Sequence, residues 1–237
     1  MDGADHALQV TPYLWMAGLD GRISPFRRAP AIGIEKDFSD VMDSLEFGGF
    51  VNLWLRRDRF VFSGDVMYVS TSDSHASGPL PPLPVPVPPG TVVEGRVDSR
   101  QFTATLQAGY RIVEAQDFTL DVLAGVRAWR ISNDVTVSAL GSSRRYGEGF
   151  DWVDPVVGVR AFRRLSGAWS LQAQLDIGGL GVGADATWSA LGTVNYIASE
   201  HLSVSAGYKV LDVDYDHDGH VYDTRLEGPA FGLTWRF

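Results

Sequence analysis

The sequence predicts an all-β protein, a closed up-and-down antiparallel transmembrane β-barrel of about ten strands, with eight or twelve as open alternatives. Three observations favour this fold. Apolar and polar residues alternate along most of the chain, turn-forming residues separate the alternating runs, and the apolar faces carry no charge. We expect residues 1–237 to form a single domain, because barrels of this length commonly fold as one unit.

The composition excludes several classes of function. The chain is 45% hydrophobic and 21% charged, which is typical of folded proteins, and its net charge of −9 argues against nucleic acid as a partner. It contains no cysteine, which excludes disulfides, thiolate metal sites and cysteine nucleophiles. No apolar run reaches the roughly 18 residues of a transmembrane helix. Since the first residues also lack the apolar stretch of a signal peptide, we expect that an export signal has been removed.

The clearest alternation runs through residues 44–56, where Leu45, Val51 and Leu53 share an apolar face while Asn52 and Arg56 lie on the other. A tight turn near residue 58 leads into a second alternating run, which predicts a hairpin. Repeating this reading along the chain predicts strands near residues 8–20, 44–56, 60–68, 102–112, 118–128, 153–161, 169–177, 188–196, 202–210 and 222–237.

The phase of the two terminal strands stays open. In the first strand, Val10 and Leu14 compete with Tyr13 and Trp15 for the apolar face. In the last strand, Pro229 interrupts the alternation, because proline lacks the N–H that a sheet ladder needs.

The connections alternate in length, as in membrane barrels with short periplasmic turns and longer extracellular loops. Short turns are predicted near residues 58, 115, 166 and 199, and longer loops at 21–43, 73–93, 132–150 and 213–221. A brief glycine-rich link occupies 178–185. The loop at 73–93 contains a proline tract at 78–90, which we expect to be an extended polyproline segment.

Charged residues on the non-apolar faces are predicted to line the lumen. A barrel of about ten strands is only slightly wider than one that side chains fill, and an unpaired buried charge is costly, so these residues should pair. This favours a salt-bridge network that closes the lumen, with a selective narrow pore as the alternative. The predicted network comprises Glu46, Arg56, Asp65, Arg111, Asp121, Arg127, Asp154, Arg160, Asp176, Lys209 and Arg236.

Aromatic residues gather where the predicted strands meet the short turns, as expected of an interfacial girdle. They are Phe60, Phe62, Tyr110, Phe118, Trp169, Tyr196, Trp235 and Phe237.

The last strand alternates through Phe231, Leu233, Trp235 and Phe237 and ends on an aromatic residue. This pattern resembles the sorting signal of bacterial outer-membrane β-barrels. Residues 12–21 and the hairpin at 45–68 also resemble a largely uncharacterised group of small Gram-negative outer-membrane barrels. The resemblance implies a cell-envelope location, contact with outer-membrane lipid and lipopolysaccharide, and insertion by the outer-membrane assembly machinery. It carries no catalytic motif.

An acidic segment near the C-terminus suggests a metal site. Asp214, Asp216, Asp218 and Gly219 match the opening of a D-x-D-x-D-G calcium loop, whose hard oxygen ligands suit Ca²⁺. The twelfth position, however, holds Arg225 where a bidentate glutamate belongs, so a solvated acidic loop is the competing interpretation. No other cofactor is predicted.

His217 and His220 lie among these aspartates and could supply a general base, as Asp–His pairs do in outer-membrane proteases. The leading expectation is nevertheless a monomeric, non-enzymatic outer-membrane protein with a structural role or with loops that bind a partner. A porin-like narrow channel for small solutes or ions is the first alternative, and an outer-membrane hydrolase is the second.

Overall fold

The structure, a computed structural model, describes residues 6–24, 26–74, 94–139 and 142–237. The proline tract predicted at 78–90 lies outside the described residues. Within those ranges the chain forms twelve strands and one short helix. They are β1 (His6–Trp15), β2 (Gly18–Ile23), β3 (Ile32–Lys36), α1 (Phe38–Ser44), β4 (Leu45–Arg57), β5 (Phe60–Asp73), β6 (Glu94–Glu114), β7 (Phe118–Ala139), β8 (Ser142–Ser166), β9 (Trp169–Gly179), β10 (Ala186–Ile197), β11 (Leu202–His217) and β12 (His220–Arg236).

Ten of these strands, β1 and β4 to β12, form a closed antiparallel barrel in which β1 pairs with β12. The predicted fold class is therefore confirmed. Strands β2 and β3 extend the sheet beyond this ring, with β2 lying beside β12. Trp15 opposes Ala230 and Gly18 opposes Glu227, so β1 and β2 follow β12 in one register. Pro229 consequently does not shift the phase of the last strand.

The outer face of the barrel is an apolar belt. In β1, Leu14 points outward with 51% of its surface exposed, whereas Trp15 points inward with 3% exposed, which settles the phase of the first strand. Because a charge facing lipid at the bilayer midplane costs about 2 to 4 kcal/mol, an uncharged belt is what a spanning sheet requires. Exposed belt residues include Val51, Leu53, Leu55, Val66, Leu106, Val122, Val126, Val157, Leu171, Leu175, Val194 and Val204.

Aromatic rings lie on the outer face beside the short turns. The Phe60 and Tyr110 rings meet edge to face with centroids 5.5 Å apart, and the Trp169 and Tyr196 rings lie 5.0 Å apart. Phe237 is 72% exposed at the same end of the barrel. These positions are where an interfacial girdle is expected.

Two segments predicted as long loops are instead strands. Residues 132–150 belong mainly to β7 and β8, and residues 213–221 form the end of the β11–β12 hairpin. That hairpin turns at Asp218 and Gly219, both with positive φ, as a two-residue hairpin turn requires. The loop predictions were wrong because the outward-facing residues become polar there, although the alternation continues and buries Val135 and Val213 inside.

We predict that Val126→Arg destabilises the folded barrel in lipid vesicles by about 2 to 4 kcal/mol, because it sets a charge against hydrocarbon. The change in the free energy of unfolding would be measured by urea titration. Ser138→Arg is the matched control, since Ser138 faces outward on the same strand beyond the apolar belt. Equal effects of the two substitutions would contradict the assignment of the belt.

Candidate functional site

The lumen has two layers that differ in chemistry. The layer toward the short turns, called the ionic layer below, contains Asp65, Arg111, Asp121, Arg127, Asp176 and Lys209. The layer toward the long hairpins, called the apolar chamber, is lined mainly by aliphatic and aromatic side chains. Met67 lines the cavities of both layers.

One ion pair of the ionic layer crosses the lumen. Lys209 Nζ on β11 lies 3.2 Å from Asp65 Oδ1 on β5 and donates a hydrogen bond of 2.7 Å to the hydroxyl of Tyr13 on β1. Tyr13 in turn donates to Asp65 Oδ1 at 3.0 Å. Strands β11 and β5 are four steps apart around the ring, so this contact joins nearly opposite walls.

A second buried pair joins β7 to β9. Arg127 Nη2 lies 2.7 Å from Asp176 Oδ1, and Arg127 Nε donates to Thr105 Oγ1 at 2.9 Å. Ser189 Oγ donates to the other carboxylate oxygen of Asp176 at 2.7 Å. Each side chain of the ion pair is at most 5% exposed, so the two charges depend on each other and on these hydroxyl groups.

A third pair lies nearer the short turns. Arg111 donates through Nε and Nη2 to the two oxygens of Asp121, at 2.7 and 3.2 Å, in the bidentate geometry that guanidinium favours. Arg160 stacks over the Trp54 ring at 4.8 Å and donates to Gln172 Oε1 at 2.8 Å. The open space among the side chains of the ionic layer amounts to about 100 Å³.

Four other residues predicted for the network have different surroundings. Glu46 is exposed at the rim, where it lies 3.6 Å from Arg96, so its assignment to the lumen is corrected. Arg56 lies beside the short turns, 4.0 Å from Glu114. A bulge next to Glu46 in β4 shifts the alternation there, which explains why its side could not be read from the sequence.

Asp154 is fully buried, and the contacts described for it come from neutral donors. Trp152 Nε1 donates to one oxygen at 3.0 Å and the Ala184 N–H donates to the other at 2.7 Å, so Asp154 fixes the link between β9 and β10. Arg236 donates to Ser203 Oγ at 3.0 Å, near the short turns. Asp154 opposes Arg127 in the β7–β8 ladder, but within the described residues neither Asp154 nor Arg236 forms an ion pair.

An aromatic wall inside the long hairpins was missed by the sequence analysis. The Trp129 and Trp152 rings are stacked at 5.3 Å, and Trp152 stacks on Tyr215 at 4.2 Å. Phe150 and Tyr222 complete the group. The signal is present in the sequence, because Trp129 and Trp152 alternate with outward-facing residues, but inward-facing aromatic residues have the same pattern as those of a membrane boundary.

The apolar chamber encloses about 530 Å³, a volume within the range of small-molecule pockets. It reaches from the β1–β4 wall to β7 on the far side of the lumen. Trp15 and Met67 lie at its deep end, and the Lys209 ammonium sits 4.9 Å from the Trp15 ring, which separates the chamber from the ionic layer. Other lining residues include Leu19, Phe50, Ile131 and Leu226.

The barrel wall is interrupted beside the chamber. Strand β1 pairs with β4 as far as Tyr13 and Phe50, after which β2 pairs with β3 instead. In the described part of the chain, residues 45–49 of β4 therefore have a strand partner only on the β5 side. The outward-facing Leu14 also lines the chamber, so the cavity reaches through the wall at this gap, called the window below.

Helix α1 covers part of the window. It begins with a capping box, in which hydrogen bonds from Ser39 and from the Asp40 backbone lower the pKa of the Asp37 carboxyl. None of its residues is buried, and Met42 is 46% exposed. Lys36 Nζ, just before the helix, lies 3.1 Å from Asp73 Oδ2 at the end of β5. This surface pair is the polar border of the window.

The predicted calcium ligands do not converge. Asp214 and Asp216 lie in extended strand on the outer face of β11, about 7 Å apart by strand geometry, whereas Asp218 lies in the turn. Ca²⁺ requires oxygens at about 2.3 to 2.6 Å. The described ranges contain no group of three histidine, cysteine or acidic residues able to hold a metal ion.

These outward-facing acids form a repulsive patch. Asp214 opposes Asp223 across the β11–β12 ladder, and Arg22 Nη2 lies 2.6 Å from Asp223. Partial burial and then the charges of Asp223 and Asp185 raise the pKa of Asp214. His217 and His220 oppose each other in the β11–β12 ladder, so the two imidazoles lie on the same face of the sheet at the rim. His217 lies 3.3 Å from Asp185, and His220 lies 3.6 Å from Glu148.

Comparisons with known proteins identify the fold. No protein-family profile matches the sequence, and no curated protein matches it either. Among solved structures, the outer-membrane protease OmpT from Escherichia coli is 12% identical with a TM-score of 0.58, over 98% of this chain and 96% of that chain. The translocator domain of the autotransporter NalP from Neisseria meningitidis is 13% identical with a TM-score of 0.50, over 99% and 90%.

At these identities the likeness establishes the fold alone, which is that of bacterial outer-membrane β-barrels. In the described ranges, no helix is both long enough and apolar enough to cross a bilayer.

We predict that Asp214→Asn raises the thermal unfolding midpoint at pH 7. A raised folded-state pKa means that the folded protein holds this proton more tightly than the unfolded chain, so stability falls as the pH rises from the ordinary pKa of 3.8 through the raised value. The increase in the unfolding midpoint caused by Asp214→Asn should disappear below pH 3.8. Asp134→Asn is the opposite control, because hydrogen bonding to Arg145 lowers the pKa of Asp134. Asp134→Asn should therefore lower the unfolding midpoint at pH 7. A lower midpoint for Asp214→Asn would contradict the assignment of the repulsive patch.

We also predict that Arg127→Ala lowers the free energy of unfolding by about 3 to 5 kcal/mol, because it leaves the Asp176 charge buried without its cation. Denaturant titration of the reconstituted protein would measure this. Arg22→Ala removes one partner of an exposed pair and should lower the free energy of unfolding far less, because water screens that pair. Similar costs for the two variants would show that the ionic layer is solvated.

Proposed function

We propose that this chain, which has the fold of bacterial outer-membrane β-barrels, is an integral protein of the Gram-negative outer membrane that is closed to solutes and non-enzymatic. In this proposal the short turns face the periplasm and the long hairpins extend outside the cell. The apolar belt and the aromatic residues beside the short turns support this orientation, because membrane barrels place short turns on the periplasmic side.

The observation that carries the closed lumen is the pair between Lys209 and Asp65, which joins nearly opposite walls. The Arg127–Asp176 and Arg111–Asp121 pairs add two further buried contacts at the same end. A hydrated solute would have to separate these buried ion pairs, and breaking a buried ion pair costs about 3 to 5 kcal/mol. The remaining space of about 100 Å³ holds a few water molecules and is far smaller than the lumen of a porin.

The extended hairpins favour an interaction role at the cell surface. Beyond the belt, the outer face of β6 to β8 carries paired charges, with Asp134 Oδ2 at 2.7 Å from Arg145 and 3.1 Å from Arg100. The exposed Arg130 stands on β7 just beyond the belt residues Val122 and Val126. We propose that these arginines contact the anionic groups of lipopolysaccharide, because guanidinium binds phosphate in a bidentate manner.

Planar-bilayer recording tests the closed lumen. We expect no steady openings from the wild-type protein. The double variant Asp65→Ala/Lys209→Ala removes the pair across the lumen without leaving an unpaired charge, and it should conduct small ions. Arg22→Ala/Asp223→Ala is the matched control, because it removes a pair on the outer face and should stay silent. Steady, ion-selective wild-type openings that change with Arg127→Ala would establish a channel and overturn the proposal.

A further inference from the structure

The apolar chamber has no role in a barrel that only anchors a surface sheet. An interior of about 530 Å³ lined by side chains such as Leu19, Ile131 and Leu226 is costly to leave in contact with water, because exposed apolar surface costs about 25 cal/mol per Å². An apolar ligand in the chamber removes that surface from water. The chamber is therefore suited to an apolar ligand.

The shape of the chamber narrows the choice of ligand. Its lining runs from Leu14 in the β1–β4 wall, past Phe50 and Met67, to Ile131 and Val135 on β7 across the lumen. Aliphatic side chains dominate along this path. An aliphatic-lined cavity that reaches from one wall of the lumen toward another can hold an extended hydrocarbon chain, and contact along the whole chain contributes to binding.

The entrance of the chamber lies beside hydrocarbon. The window begins at Leu14 and residues 45–49, and the outward-facing Phe47 beside it packs against Tyr68 with ring centroids 5.9 Å apart. These rings mark the membrane boundary at the long-hairpin end of the belt. A chain dissolved in the outer leaflet can thus enter sideways without crossing water, while Lys36 and Asp73 at the border can face a polar head.

We propose that the apolar chamber binds one hydrocarbon chain, of a free fatty acid or of a membrane lipid, which enters through the window from the outer leaflet. The proposal rests on the membrane placement given above but not on the closed lumen. The buried ring of Trp15 closes the deep end of the chamber, where the methyl end of the chain would lie.

Photolabelling of the protein reconstituted in phosphatidylethanolamine and phosphatidylglycerol vesicles tests this inference. One arm uses stearic acid with a diazirine near its methyl end, and the other uses phosphatidylethanolamine with the same group on one acyl chain. Mass spectrometry would locate the labelled residues. We expect label at Met67 and Ile131 inside the chamber, together with label at belt residues such as Val126.

Gly48→Phe is the blocking variant, because Gly48 lines the chamber and a Cβ there meets Leu45 at an ordinary 3.7 Å. The added phenylalanine ring should displace about two methylenes of the bound hydrocarbon chain. Losing their burial should weaken the labelling of Ile131 about tenfold. Gly192→Phe is the matched control, since its added Cβ has nothing within 4 Å and points outward. It should leave chamber labelling unchanged, and circular dichroism would verify that both variants fold.

Chamber labelling by both probes, or by only one, supports the inference and identifies the source of the chain. Belt labelling without chamber labelling, or chamber labelling unaffected by Gly48→Phe, overturns it while the membrane placement stands. Absence of label from the belt as well would instead contradict the membrane placement itself.

Discussion

The pairing of charges inside the barrel is the constraint on which the rest of the structure depends. Hydrocarbon on the outside forces every charged side chain of the spanning strands to the inner face, because exposure to lipid costs several kcal/mol. Inside a narrow ring these charges must find partners. Lys209 reaches Asp65 from the opposite wall and shares Tyr13 with it, so the ionic layer links strands distant in the sequence and restrains the barrel in cross-section.

The same strands reverse their polarity where they leave the membrane. On β7, Val126 faces lipid and Arg127 faces the lumen, whereas farther along Asp134 faces water and Val135 is buried inside. Along this part of β7 the alternation does not break, because the side-chain period of a regular strand is two. Only the medium outside changes. The long hairpins therefore form a water-exposed barrel with an apolar interior, continuous with a membrane barrel that has a polar one.

The window follows from how the chain begins. Strands β1 and β2 both follow β12, but β4 separates from them beyond Tyr13, and the chain in between folds into β3 and the short α1. This arrangement leaves an edge of β4 beside the chamber covered mainly by a helix without buried residues. An exposed strand edge is normally avoided. Here it lies at the boundary of the belt, where the apolar interior meets the apolar exterior.

The sequence alone determined the fold class, the ten ring strands, the short turns and which residues of most strands face hydrocarbon, because a period of two in a chain with uncharged apolar faces has few other solutions. It also assigned Asp65, Arg127, Asp176 and Lys209 to the inner face. It could not pair them, since partners such as Lys209 and Asp65 meet only through ring closure.

The tertiary structure decided the rest. The aromatic wall was hidden because inward and outward aromatic residues look alike until the membrane boundary is known. The β3–α1 segment and the chamber depend on where β4 separates from β1, which results from competition between alternative strand partners and not from local propensity. The acidic segment formed a hairpin instead of a calcium loop because its alternate residues, Val213 and Tyr215, were buried by strands on both sides.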